Sequence, residues 1–316
     1  MSQPAARPPA AAPRVRAVSR PSRTDSALMA VGTAAVSTSG PLMAAIAAPA
    51  LAVAMWRNVL AVAVIWPAAA FTRRTELREL SRGELGWAGV AGVFLALHFA
   101  TWVPSLRFTT VASATAIVAT QPVWVALIAR VTGHHVPRRT WVGIAIAVVG
   151  VIVLTGVDFS LESRALVGDL LALLGGVFAA FYTVSGARVR RTVSTTSYTA
   201  LCYSTAAVAL LVACLVGGLR LGDDYGGKTW LQLAALTLGA QLLGHSVFNT
   251  VLRSTSPTVV SLVLLLEVPG AALIAAFAIG QTPPVAAVPA ALFLLVGLGI
   301  VISSAGEDVE ASIPAE

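Results

Sequence analysis

Glu267 stands inside the apolar run VVSLVLLLEVPGAALIAAFAIG and is the only carboxylate set deep in such surroundings; Asp169 sits at the mouth of another apolar segment. A charge in hydrocarbon costs at least about 2.5 kcal/mol, so such a residue faces a protein interior or water. Two chemistries suit it, taking up and releasing a proton or binding the ammonium of a substrate. The structural alternative is a partner for Arg57, the one arginine inside an apolar segment. Arg57 itself could grip a carboxylate with two parallel hydrogen bonds or reach the headgroups along the lipid. A structural or pairing role is the expectation for it.

Thr237, Gln241, His245 and Asn249 recur every four residues. On an α-helix that spacing keeps them on one stripe, which would line a cavity or bond neighbouring helices. His98 and Trp102, also four apart, form the counterpart earlier in the chain. A buried histidine is often only a satisfied structural residue, so lining and packing both remain open for the pair. Gln121-Pro122 and Val268-Pro269 fall near the middle of apolar segments, where proline removes a backbone hydrogen bond and frees a carbonyl. Pro122 and Pro269 are thus expected helix breaks, either at a binding site and hinge or as static kinks. Tyr182 and Trp124 could wall a ligand or simply pack.

Elements that must hold these groups follow from hydropathy. The chain is 57% hydrophobic and 11% charged, with a mean hydropathy of +0.84. Soluble domains carry about 25% charged residues, so an ordinary soluble enzyme is excluded. Ten apolar segments can be read, at 27–47, 50–71, 86–105, 109–130, 140–156, 167–187, 196–217, 230–251, 256–279 and 284–304. Each is close to the roughly 20 residues that span a bilayer. The expected fold class is therefore all-α integral membrane, with ten transmembrane helices and no extramembrane domain. Residues 1–26, rich in Ala, Pro and Arg, are expected as a disordered tail, and 305–316 as a second tail.

The formal charge of +7 would suggest nucleic acid in a soluble protein, but here it reads as topology, and no nucleic-acid partner is expected. With the N-terminus inside, 16 basic residues fall on the inner side and four (Arg107, Arg164, Arg220, Lys228) on the outer. Both termini are then cytoplasmic under the positive-inside rule. Cys202 and Cys214 share one apolar segment, so no disulfide framework is implied.

Shifting the chain by 147 places His98 on His245, Pro122 on Pro269, Ala129 on Ala276, Gly133 on Gly280 and Gly150 on Gly297. The halves, 27–156 and 157–304, each hold five segments at matching spacing. Five is odd, so the second half enters the membrane from the opposite side. Inverted repeats of this kind place a site at the midplane between halves.

Two motifs carry no function here. Residues 222–229, GDDYGGKT, spell the phosphate-loop formula, yet that loop needs a strand before it and a nucleotide-binding domain around it. Asp223 and Asp224 would also repel phosphate. His134-His135 has no nearby acid or cysteine to complete a metal site. No nucleophile, base and orienting group converge, so neither metal nor cofactor nor enzymatic activity is expected.

The pattern resembles an EamA-type member of the drug/metabolite transporter superfamily over roughly residues 27 to 304. Trp56-Arg57-Asn58, the stretch from Thr109 to Pro122, and LLEVPGAALIAAFAIG from Leu265 to Gly280 carry the resemblance. Gly133-His134 and Gly280-Gln281 depart from it, since the family commonly has Gly-Glu there. The resemblance implies a carrier of small metabolites, often an exporter. The expectation is a secondary transporter in the inner membrane, surrounded by the lipid bilayer. It would move a small, amphiphilic metabolite or drug-like compound outward by alternating access, with protons as a coupling partner. Its path would be lined by His98, Trp102, Gln121, Tyr182, Gln241, His245, Asn249 and Glu267. The alternatives are a lipid-headgroup translocase and, further off, a membrane-embedded enzyme. Substrate identity and oligomeric state are not legible.

Overall fold

The computed structural model describes residues 21–109, 111–155, 163–222, 224–279 and 287–310. Among these every regular element is helical. The first half holds α1 (Arg23–Val36), α2 (Ser39–Ala45), α3 (Ala50–Thr72), α4 (Arg74–Glu79), α5 (Arg82–Ser105), α6 (Val111–Val118), α7 (Gln121–Val131) and α8 (Arg138–Thr155). The second holds α9 (Ser163–Val189), α10 (Thr195–Val216), α11 (Gly227–Leu236), a π-helical segment (Thr237–His245), α12 (Ser246–Val251), α13 (Pro257–Leu264), α14 (Glu267–Ile279) and α15 (Ala287–Glu310). Most of the expected N-terminal tail (1–20), the end of the C-terminal one (311–316), Asp223 and the Gly280-Gln281 pair lie outside the described residues.

Helix occupies every one of the ten apolar segments. Seven helical stretches are long and apolar enough to cross a membrane, and 257–271 and 288–303 are shorter apolar helices. Several boundaries differ from expectation, with α1, α5 and α9 each starting four residues early and α15 ending six late. α1 starts four residues early, at Arg23, because Ser22 and Asp25 form a reciprocal cap: Asp25 N donates to Ser22 Oγ at 3.0 Å and Ser22 N to the Asp25 carboxylate at 3.2 Å. α15 runs on to Glu310, past the expected end at 304.

Large apolar side chains cover the outside, while a few polar groups are enclosed within an otherwise apolar core. Phe71 is 88% exposed and Val216 85%, whereas Arg57, Asn58 and Gln241 are fully buried. An apolar exterior with its few polar groups turned inward is what a hydrocarbon solvent selects.

Both prolines act as steric stops. A proline ring clashes with the carbonyl four residues back. Four residues before Pro122 is Val118, where α6 ends; four before Pro269 is Leu265, just past the end of α13. Each helix restarts within a few residues, α7 at Gln121 and α14 at Glu267. The breaks occupy matching places in the two halves and put a polar residue at each restart.

Pairing between helices crosses from one half to the other. α5 packs on α9, and α1 packs on the π segment and α12, which is the same pairing with the halves exchanged. α3 lies against α10 and α8 against α15, each helix beside its own counterpart. Where α8 and α15 cross, a β-carbon on Gly297 would stand 2.5 Å from the Gly143 carbonyl oxygen and 2.9 Å from Ala147 Cβ. Only glycine permits this approach, as at other close helix crossings in lipid. Gly297→Val should therefore cost about 1–3 kcal/mol through overpacking, seen as earlier melting in detergent; an unchanged melting point would mean that the helices do not cross here.

At the end that gathers Arg188, Arg190 and Arg191, the short α4 is fastened to α10. Ser194 N and Ser197 Oγ donate to the Glu76 carboxylate at 2.5 and 3.0 Å. Burial pushes the Glu76 carboxyl up, but these bonds and nearby Arg73 outweigh it and hold it below the ordinary carboxylate value.

Candidate functional site

Between the two apolar clusters of the bundle lies a polar cavity of about 60 Å³. By volume it has room for about four water molecules. Its walls come from both halves. The first contributes Ser39 of α2, His98 and Trp102 of α5, Thr115 of α6 and Gln121 of α7. From the second come Tyr182 and Thr183 of α9, His245, Phe248 and Asn249, Ser261 of α13 and Glu267 of α14.

Most of these polar groups are fixed by partners. Gln121 Nε2 donates to Thr183 Oγ1 at 2.8 Å. The Tyr182 hydroxyl donates to Asn249 Oδ1 at 2.9 Å, and Asn249 Nδ2 donates to the Tyr203 hydroxyl at 3.3 Å. His98 Nδ1 lies 2.9 Å from the Gly175 carbonyl; a carbonyl only accepts, so this nitrogen carries the proton. The His98 ring also stacks on Trp102, with centroids 5.4 Å apart. His245 meets the edge of Phe99 at 5.6 Å and faces Tyr182 at 6.2 Å.

Four groups in the wall have no hydrogen-bond partner among the described residues: Glu267, Trp102, Thr115 and His245, whose imidazole has only its ring contacts. Glu267 makes no hydrogen bond or ion pair with any described residue, although it stands in the first turn of α14. That position sets the carboxyl at the positive end of a helix dipole. Trp102 Nε1 and Thr115 Oγ1 are buried without partners. A buried polar group left unpaired costs about 1–3 kcal/mol, so the cavity presents one free carboxyl and two free hydroxyl or indole donors.

Arg57 and Gln241 belong to a different cluster, behind the cavity wall. Arg57 Nε donates to Gln241 Oε1 at 2.9 Å, and Gln241 Nε2 donates to Asn58 Oδ1 at 3.2 Å. The guanidinium lies 4.2 Å over the Phe99 ring, with Ser39 Oγ and Met43 Sδ each 3.5 Å from Nη1. Arg57 is therefore fully enclosed, away from lipid headgroups, and it does not meet Glu267 in an ion pair.

The expected four-residue stripe is split. His245 and Asn249 line the cavity, while Gln241 turns to Arg57 and Thr237 Oγ1 bonds back to the Leu233 carbonyl at 2.8 Å. The stripe runs through a π segment from Thr237 to His245, which interrupts the α-helical register. Pro122 and Pro269 set the breaks without entering the lining, and Asp169 lies elsewhere on α9, half-buried. Sequence reasoning missed Ser39, Thr183, Thr115 and Ser261, and for the last two a signal existed. Each of those two stands six residues before a restart residue, Gln121 or Glu267, and that matched spacing was the available signal.

The family model described as EamA-like transporter family matches residues 26–156 and again 166–303. A transporter of Archaeoglobus fulgidus, described as uncharacterized, is 24% identical over 57% of this chain and 62% of its own. YedA of Escherichia coli K12, described as an uncharacterized inner membrane transporter, is 28% identical over 46% of each chain. These two matches span about half of the relatives' own lengths. YyaM of Bacillus subtilis 168, described as an uncharacterized transporter, is 26% identical over 78% of this chain and 82% of its own. One solved crystal structure shares the fold with a TM-score of 0.70 at 18% identity, over 89% of this chain and 98% of that one.

Proposed function

Since the chain belongs to the EamA-like transporter family, we propose that it is a ten-helix secondary carrier of the inner membrane, with both termini cytoplasmic. It exports a small amphiphilic metabolite that bears an amine, in exchange for protons. The observation that carries this reading is the unpartnered Glu267 carboxyl in a polar cavity walled by both halves.

The chemistry of the lining supports it. An ammonium pairs with the Glu267 carboxyl, which otherwise takes a proton, so substrate and proton compete for one group. The imidazoles and the indole wall accommodate an apolar body. Trp102 Nε1 and Thr115 Oγ1 offer donors to an acceptor on the substrate. The exchange of helix partners between halves supports an inverted pair, and the paired breaks at 119–120 and 265–266 supply hinges at one depth. At about 60 Å³ the cavity is too small for a metabolite, so these hinges must open it.

The test is ligand-dependent stability followed by transport. Purified protein in detergent is melted against amines, amino acids, nucleosides and lipid headgroups, since a ligand of the folded state raises the melting point by mass action. An amine-bearing compound should stabilise it, and vesicles holding the protein should exchange that compound against protons. Stabilisation by lipid headgroups alone would replace this reading with that of a lipid-headgroup translocase.

A further inference from the structure

A second, larger cavity of about 410 Å³ opens at the arginine-rich end of the bundle. It shares a single lining residue, Leu252, with the central one. Three guanidinium groups stand in its wall: Arg188 in the last turn of α9, Arg191 just beyond it, and Arg253 between α12 and α13. All three are exposed, and none has an ion-pair partner among the described residues. Arg188 lies 4.3 Å over the Trp87 ring, which holds its plane fixed and leaves its N–H edge free. Arg190, between them in sequence, is already spent on the Asn249 and Val193 carbonyls.

The opposite wall is the start of α13. Ser256 caps that helix, and Pro257 occupies its first turn. Pro257 has no N–H and the Val259 N–H is taken by Ser256 Oγ, so what this end offers an anion is the positive end of the helix dipole. Thr255, 3% exposed, lies in the same wall with its Oγ1 buried and unpartnered. Two carboxylates lie near the vestibule, Asp25 bonded to Ser254 of its wall and Glu84 to Thr192, so the three guanidinium groups outnumber them. Asp25 also accepts from Ser22, and Glu84 from Ser81.

Three positive charges in a concave, partly dry site, facing a helix N-terminus and an unsatisfied hydroxyl, form a receptor for a compact multivalent anion. Planar guanidinium forks match the oxygens of a phosphate better than a single ammonium would. We infer that this vestibule binds a phosphate group, carried by a phospholipid headgroup or by a soluble phosphate. The site stands whether or not the central cavity carries a metabolite.

The full chain, purified and stripped of lipid in a neutral detergent, tests this. Its melting point is followed with inorganic phosphate against chloride at matched ionic strength, then with phosphatidylglycerol against phosphatidylcholine in mixed micelles. Stabilisation by inorganic phosphate identifies a soluble source, and stabilisation by phosphatidylglycerol alone identifies the headgroup. In either case apparent affinity should fall about tenfold or more for each arginine removed. The variants are Arg188→Gln with Arg253→Gln, and Arg191→Gln alone, an exposed position whose loss leaves folding intact. If neither anion stabilises the protein, or if both variants respond as the parent does, the vestibule is not a phosphate site.

Discussion

Vesicles carrying Glu267→Gln should show no proton-driven exchange, while the variant expresses and melts as the parent does. The reason for the second half of that statement is structural. Glu267 has no hydrogen bond or ion pair to lose among the described residues, and glutamine keeps its shape. Two outcomes separate the roles of the carboxyl. If it binds the substrate ammonium, affinity should drop about 10- to 100-fold, the worth of one hydrogen bond between charged groups. If it only carries the proton, affinity should hold while substrate exchange becomes indifferent to the pH gradient. Unchanged proton-driven transport would remove Glu267 from the mechanism.

The opposite pattern is expected at Arg57. Its side chain is fully buried, stacks on Phe99 and donates to Gln241. Arg57→Ala removes that contact area and leaves the Gln241 carbonyl oxygen unpaired, a loss of about 3 kcal/mol. Melting in detergent should drop sharply, with transport falling only as folded protein falls. Arg57→Lys should not rescue it, because an ammonium neither stacks flat on a ring nor reaches Gln241 through a planar Nε–H. A lysine variant as stable as the parent would mean that the stack contributes nothing.

These two residues also mark how far the sequence could be read. Hydropathy located the apolar helical regions, because each has to satisfy its backbone in lipid without outside help, but not the charged α4. The 147-residue shift pairs His98 with His245, and both line one cavity. The prolines showed where helices break, since the clash with the fourth carbonyl back is local chemistry. Arg57 was not legible in the same way. Its partners come from α2, α5 and the π segment, so its choice between lipid surface, Glu267 and Gln241 is decided by packing alone. Gln241 was misplaced because four-residue spacing presumes an α-helix, and nothing in TLGAQLLGH announces π winding. Thr115 and Ser261 were silent because a hydroxyl in an apolar helix can satisfy itself on its own backbone; Ser261 does so, to the Thr258 carbonyl at 3.0 Å.

The distance along the chain between Arg57 and Gln241 also bears on how the protein is made. The two are 184 residues apart. At a synthesis rate of about 5–20 residues per second, roughly 10–40 s pass between their appearances. Throughout that interval the nascent α3 carries a guanidinium whose best acceptor does not yet exist, at a depth where lipid offers none. Until then only Ser39, Met43 and Phe99 of the first half stand against it, so the second half of the chain completes the enclosure of an arginine in the first.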